Sequence, residues 1–161
     1  MFSPSNVTIL IVAVMILLLM SAIIAGAETA FFSLSVKDIN YLKSKEKPGA
    51  RIAAQLLEQP KMLLATILVA NNFINIAIVI ATNVLVQALL PDSISKVVSF
   101  LVQVVVVTFL LVLFGEVLPK VYATQNNLRM ALLSAPFVRV LMGIFSPISR
   151  TLVSSTSFIE S

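Results

Sequence analysis

The sequence has 161 residues, of which 59% are hydrophobic and 11% are charged, and its formal net charge at pH 7 is +4. Soluble globular domains carry about 25% charged residues, so this composition excludes an ordinary soluble domain and indicates an integral membrane protein with about three or four spans. The sequence contains no cysteine and no histidine, which excludes disulfide bonds, thiolate and imidazole metal sites and histidine-based catalysis, and we expect the protein not to be an enzyme.

Three apolar runs are long enough to cross about 30 Å of hydrocarbon at about 1.5 Å of helix per residue. They predict membrane spans over about residues 7–30, 62–90 and 97–118. The small residues at 25–27 resemble the cleavage site of a signal peptide, but no Lys or Arg precedes them, whereas a signal peptide begins with a charged segment. We therefore interpret the first run as a span.

The segments outside these spans are also helical in pattern. Residues 35–61 are polar and predict a cytoplasmic helical hairpin. Residues 121–155 are apolar but amphipathic, and Pro136, Arg139 and Pro147 within them argue against a fourth span and favour juxtamembrane helices. The predicted fold is an all-α integral membrane domain with three transmembrane helices, a cytoplasmic helical hairpin and a juxtamembrane helix.

The basic residues predict the orientation of the chain in the membrane. No Lys or Arg precedes the first span and only Lys96 lies between the second and third. The others lie between the first two spans or after the third: Lys37, Lys43, Lys45, Lys47, Arg51, Lys61, Lys120, Arg129, Arg139 and Arg150. By the positive-inside rule the N-terminus is outside and the C-terminus is cytoplasmic, which agrees with an odd number of spans. We expect a multi-pass protein of the inner (plasma) membrane, with no nucleic-acid partner.

Polar side chains on the first two spans suggest a cation site. Asn71 and Asn75 are four residues apart and share one helix face, with Asn72 beside them. Ser21 lies near this depth on the first span, and Glu28 follows two turns later. Neutral oxygens with one carboxylate are ligands that a hard cation prefers. The alternatives are that the amides hydrogen-bond neighbouring helices, and that Glu28 ends the first span and pairs with a loop lysine.

The stretch LVLFGEVLPKVYA at 111–123 adds a carboxylate and a proline to the third span. Pro119 has no N–H, so in an α-helix the carbonyl of Gly115 loses its partner and can be presented beside Glu116. Lys120 follows at the cytoplasmic rim. The alternatives are a simple proline kink without a ligand and an ion pair between Glu116 and Lys120, which are four residues apart.

Three motifs in this order resemble the transmembrane domain of CNNM/CorC magnesium transporters: SAIIAGAETAFFSLS, LLEQPKMLLATILVANNFINI and FGEVLPK. The run GAETAFFSLS is most similar to the bacterial branch, which includes gliding-motility-associated members. The resemblance implies a homodimer of three-span subunits in the lipid bilayer, a Mg²⁺ site in each subunit, and Na⁺-coupled Mg²⁺ export. It also implies that cytoplasmic CBS domains follow in the full-length protein, and that this chain, an isolated transmembrane domain at 1–161, ends before them.

The resemblance places the family's site residues on Asn71, Asn75 and the Gly115–Glu116 pair. Many members read FSGSE in the first span, whereas this sequence has Ala25 and Ala27 before its glutamate, so two hydroxyls are missing. Ser21 is the hydroxyl that remains nearby. The candidate metal ligands are therefore Ser21, Asn71, Asn75, Gly115 and Glu116, with Asn72, Glu28, Pro119 and Lys120 as supporting residues.

The polar residues of the three spans, together with the resemblance, predict a Mg²⁺ transporter domain that binds a dehydrated divalent cation between three helices. The resemblance further implies that the domain exports the ion, with Na⁺ as the coupling ion. Two other functions fit the same sequence. One is a metal sensor that regulates an attached cytoplasmic domain without transport, and the other is a membrane anchor of a secretion or motility assembly that binds no ion.

Overall fold

The computed structural model of the protein describes residues 4–91 and 93–159, and in this part of the chain all regular secondary structure is helical. This confirms the predicted all-α membrane class. The elements in chain order are α1 (Pro4–Phe32), α2 (Val36–Ser44), α3 (Pro48–Leu57), α4 (Pro60–Leu89), α5 (Lys96–Leu110), a π-helical segment (Leu111–Val117), α6 (Leu118–Gln125) and α7 (Asn127–Ile159).

The three predicted spans coincide with α1, α4 and the continuous run from α5 through the π segment to α6. The third span was predicted to end at residue 118, but the helical run continues to Gln125. Pro119 does not end it, because it lies in the first turn of α6, where its missing N–H and fixed φ are tolerated.

Within the described ranges, four helical stretches are long and apolar enough to cross a membrane, and the fourth, at 127–155, lies in α7. The sequence predicted juxtamembrane helices there, whereas the structure has one helix that continues through Pro136 and Pro147. Such prolines are tolerated in membrane helices, since neighbouring groups satisfy the freed carbonyls. The arrangement with three spans stays a prediction.

The helix α7 contacts both α1 and α4. Asn127 Nδ2, at the start of α7, donates to the carbonyl of Ser33 at the end of α1, at 3.0 Å. Farther along α7, the hydroxyl of Ser149 lies 3.1 Å from that of Thr66, near the start of α4. In the predicted topology Ser33 and Thr66 both lie toward the cytoplasmic side, so these two contacts are compatible with the juxtamembrane interpretation.

Small residues allow the helices to approach closely at this end of the bundle. Ala27, Ala30 and Ala70 on α1 and α4 are fully buried. A Cβ placed on Gly26 would overlap the Met130 side chain of α7, and one on Gly49 would lie 3.2 Å from the Leu132 carbonyl. Small residues at helix contacts are typical of membrane bundles, where association depends on close van der Waals contact.

Two short helices, α2 and α3, occupy the segment for which the hairpin was predicted. At the start of α2 the Ser35 hydroxyl accepts from Asp38 N–H at 3.2 Å, and the Ser35 N–H donates to the Asp38 carboxylate at 2.9 Å. This capping box satisfies backbone donors that the first helical turn leaves unpaired. The Ser35 hydroxyl also donates to the carboxylate, and these hydrogen bonds lower the pKa of Asp38.

Candidate cation site

Three helices bring three of the predicted ligands together. The Ser21 hydroxyl of α1 donates to Asn75 Oδ1 of α4 at 3.1 Å. Gly115, on the π segment, is so close that a Cβ built on it would lie 3.1 Å from Ser21 Oγ. Ser21 is fully buried and Gly115 is buried as well. The contact therefore joins α1, α4 and the π segment inside the bundle.

Asn71, one turn from Asn75 on α4, has a buried amide oxygen that accepts no hydrogen bond from any described residue. Leaving such an oxygen unpaired costs roughly 1–3 kcal/mol, so buried acceptors are normally satisfied by protein, water or an ion. This orphaned oxygen, beside the Ser21–Asn75 pair, fits a site that a cation or a water molecule completes.

The π segment changes which carbonyl loses its donor. Leu118 N–H donates to the carbonyl of Leu113, five residues earlier. In this register the next donor would be the N–H of Pro119, which does not exist, and its acceptor would be Phe114. The prediction that Pro119 frees the Gly115 carbonyl assumed an α-helical register, so for this segment the assignment moves by one residue. π-helical turns occur frequently at functional sites.

Lys120 pairs with Glu28 and not with Glu116. Its Nζ lies 3.2 Å from Glu28 Oε2, and the two side chains are 43% and 28% exposed. The predicted alternative of a Glu116–Lys120 ion pair is therefore wrong in this structure. The alternative that Glu28 pairs with a loop lysine was right that Glu28 forms an ion pair with a lysine. It was wrong about the position of that lysine, since Lys120 lies on α6 and not in a loop. Glu116 is half-buried and forms no ion pair or hydrogen bond with the described residues.

Asn72 lies apart from the site. Its side chain is exposed, and Nδ2 donates to the Leu68 carbonyl of the same helix at 2.9 Å. Asn72 differs from Asn71 and Asn75 only in the direction of its side chain. The residue type and the spacing in the sequence could not reveal this difference. The structure thus brings Ser21, Asn75 and Gly115 together, places Asn71 one turn away and leaves Asn72 outside.

Thr82 was not singled out from the sequence. It is buried on α4, seven residues beyond Asn75, and its hydroxyl oxygen has no partner in the described part of the chain. The sequence carried no signal for it, since a threonine in an apolar helix usually bonds its own backbone. It lies about 10 Å from Asn75 along the helix, too far to share a ligand.

The described residues form no acidic cluster that would mark a metal site. Among residues 4–91 and 93–159 no three His, Cys, Asp or Glu side chains lie together. The contact offers the neutral hydroxyl and amide oxygens of Ser21 and Asn75, and Glu116 follows Gly115 directly in the chain. Hard cations such as Mg²⁺ and Ca²⁺ take such oxygen ligands.

Comparison with known proteins shows the family. The model for the cyclin M (CNNM) transmembrane N-terminal domain matches residues 12–160, nearly the whole chain. The chain belongs to the CNNM/CorC family. A UPF0053 protein of Haemophilus influenzae is 30% identical over 139 residues, which cover 86% of this chain and 32% of that protein. UPF0053 inner membrane protein YfjD of Escherichia coli is 27% identical over 103 residues, or 64% of this chain and 23% of that protein.

The family extends beyond bacteria. A DUF21 domain-containing protein of Arabidopsis thaliana is 27% identical over 143 residues, which cover 86% of this chain and 25% of that protein. The chain spans about a third or less of the length of these relatives. Family membership and the apolar helices together show a multi-pass membrane domain.

Proposed function

We propose that this CNNM/CorC domain is a Mg²⁺ transporter domain that binds a mostly dehydrated cation between α1, α4 and the π segment. The observation that carries the proposal is the convergence of Ser21, Asn75 and Gly115 beside the orphaned oxygen of Asn71. Glu116, adjacent to Gly115, supplies one formal negative charge, which offsets half of the charge of a divalent ion.

The spacing of two oxygens is compatible with a cation bound to both. Mg²⁺ binds oxygen at about 2.0–2.1 Å in octahedral geometry, which separates neighbouring ligand oxygens by about 2.8–3.0 Å. Ser21 Oγ and Asn75 Oδ1 are 3.1 Å apart. The two oxygens are therefore almost at the ligand spacing already, and the Ser21 hydroxyl hydrogen needs only to rotate away for both to face a cation.

The surroundings of the site support access from one side. Toward the predicted cytoplasmic side lie Glu116, Glu28 and Lys120, all partly exposed. Toward the other side, α1 and α4 present Leu18 and Ile78, which are buried and apolar. An ion could thus enter from the cytoplasm, and a later opening of the apolar side would export it. Na⁺ coupling and a homodimer belong to the proposal on the family resemblance alone, as do CBS domains in the remainder of the full-length protein.

The first experiment tests binding and flux separately. Purified domain in detergent is titrated with Mg²⁺, Mn²⁺, Ca²⁺ and Na⁺ while thermal unfolding is followed, and liposomes containing the domain are assayed for Mg²⁺ flux. We expect Mg²⁺-dependent stabilisation and flux. Binding without flux would indicate a metal sensor, and the absence of both would indicate a membrane anchor.

Orientation is tested with single cysteines, because the natural chain contains none. Ser93→Cys, in the exposed turn before α5, should react with an impermeant thiol reagent added outside intact cells. Ser44→Cys, at the exposed end of α2, should react only after the cells are opened. External labelling at position 44 would contradict a cytoplasmic hairpin.

A further inference from the structure

Lys120 has two carboxylates as possible partners. Glu116 precedes it by four residues on the same helical run, which is the spacing of an intrahelical ion pair. Glu28 lies across the helix contact on α1, and Lys120 Nζ is 3.2 Å from its Oε2. The structure thus shows Lys120 engaged by Glu28, while Glu116 has no partner among the described residues.

The choice between these partners affects the proposed cation site. A lysine ammonium carries three hydrogen-bond donors and one positive charge. If it were bound to Glu116, it would occupy carboxylate oxygens that a cation needs and would repel a divalent ion. When the Lys120 ammonium is bound to Glu28 instead, the carboxylate of Glu116 stays available to bind a cation.

The tertiary contact that makes this possible lies between α1 and α6, which pack against each other. Ala123, one turn after Lys120, is fully buried, as is Ala27 beside Glu28. These small residues let the two helices approach, so that the lysine reaches across to α1. Both charged groups stay partly exposed, at 43% and 28%, so the pair can be broken without burying a charge.

We propose that Glu28 is a positioning residue, which holds the Lys120 ammonium away from Glu116 and so keeps Glu116 free for the divalent cation. The proposal rests on the proposed function, because it assigns Glu116 to the cation. Glu28 itself does not touch the ion and acts through the lysine. Without Glu28, Lys120 turns to Glu116, and the apparent affinity falls by the fraction of molecules in which Glu116 is still free.

The test is a double-mutant cycle on the intact 161-residue chain, with Mg²⁺-dependent thermal stabilisation as the readout. Glu28→Gln should weaken the apparent Mg²⁺ affinity about tenfold, which corresponds to one free Glu116 in ten molecules. Lys120→Met should bind at least as well as the natural chain. In the Lys120→Met background, Glu28→Gln should change the affinity by less than about twofold, since no ammonium remains to compete.

Each other outcome overturns the inference. If the ion pair only fastens α6 to α1, Lys120→Met should be as damaging as Glu28→Gln, and the double variant should not recover. If Glu28 acts only through its own negative charge, its loss should cost the same in both backgrounds. Should Glu28→Gln fail to fold, Glu28→Asp, shorter by one methylene, enters the same cycle, and an absence of coupling there counts equally against the proposal. A natural chain that does not respond to Mg²⁺ at all contradicts the proposed function instead.

Discussion

The helix α4 and the run from α5 to α6 are the same length, 30 residues each, but relate differently to the rest of the protein. We compare one apolar 18-residue stretch from each. In the stretch from α4, 39% is buried inside the protein, whereas in the stretch from the other run only 6% is buried. α4 is a regular α-helix that supplies amide side chains. The exposed run contains the π segment and supplies Gly115 and Glu116.

The difference indicates which side of the site is fixed. Burial of a continuous stripe, including Ile67, Ile74 and Ile78, holds α4 against α1, so its amides keep their positions. In the other run α5 buries only Val107, whereas the π segment and α6 pack against α1. The π register departs from regular hydrogen bonding. The part of this run that can move most easily is therefore α5, which leads into the π segment.

The largest effect is expected from the charge on the exposed run. Glu116→Gln keeps the shape and one oxygen but removes the negative charge, whose attraction to a divalent ion is worth several kcal/mol at an effective dielectric near 20. Even after offset by desolvation, Mg²⁺ affinity should fall more than about tenfold, or about 1.4 kcal/mol. Thermal titration measures this, and Glu58→Gln, on the exposed end of α3, is the control.

The folding of Glu116→Gln should survive, because a carboxylate without a partner inside a membrane is unfavourable. An unchanged Mg²⁺ affinity in this variant would remove Glu116 from the site.

The next effect concerns the place where the two regions meet. In Gly115→Ala the new Cβ would lie 3.1 Å from Ser21 Oγ and 3.6 Å from Leu111 Cδ2. We expect a loss of about 1 kcal/mol in unfolding free energy, the low end for overpacking, because the tight contact is with one hydroxyl. Gly143→Ala is the matched control, since nothing lies within 4 Å of its Cβ, and it should stabilise α7 by about 0.5–1 kcal/mol. Equal effects at both positions would contradict a close contact at Gly115.

A smaller effect is expected on the fixed side of the site. Asn71→Ala removes an amide whose oxygen is buried and unpaired, so stability without Mg²⁺ should hold or rise, while Mg²⁺ affinity falls about fivefold, or about 1 kcal/mol. Asn72→Ala, with an exposed amide bound to its own helix, should leave the affinity unchanged. If the two variants behave alike in the Mg²⁺ titration, Asn71 is not a ligand.

The smallest effect is expected from restoring a hydroxyl. Ala25 is fully buried one turn after Ser21, and Asn71 is one turn before Asn75. The predicted topology makes α1 and α4 antiparallel, so Ala25 and Asn71 should lie at a similar level. Ala25→Ser would give the Asn71 oxygen a donor and should keep or raise Mg²⁺ affinity by about twofold, at little cost in stability. Ala30→Ser, on the same helix but farther from Asn71, is the control. A severe loss of folding only at position 25 would show that this face has no room for an oxygen.

The sequence could predict which residues meet at the site because helix periodicity fixes depth and face. Asn75 and Ser21 were placed near one depth, and the structure joins them directly. Gly115 was selected through its distance from Pro119, and it does lie against Ser21. Such predictions need only the rise and turn of two helices, which vary little.

The sequence could not predict the partner of Lys120 or the register before Pro119. The spacing of Glu116 and Lys120 was correct for an ion pair, but the approach of α6 to α1 brought Glu28 to the lysine. Gly115 and Pro119 indicated that the helix is irregular at this point. They did not indicate whether it would adopt the π-helical register, which has about one more residue per turn. Both outcomes depend on contacts between helices that are distant in sequence.

The hydrogen bond between Ser21 and Asn75 has a consequence for the site when no ion is bound. The Ser21 hydroxyl hydrogen points to Asn75 Oδ1, with the two oxygens 3.1 Å apart, and so occupies a lone pair that a cation would need. An entering ion must therefore break this bond before Asn75 can coordinate it through that lone pair. The buried alanines of the same two helices, such as Ala27 and Ala70, keep α1 and α4 close, so the bond can form again when the ion leaves. The pair would then be a contact that closes itself, in which a hydroxyl hydrogen takes the place of the departed ion.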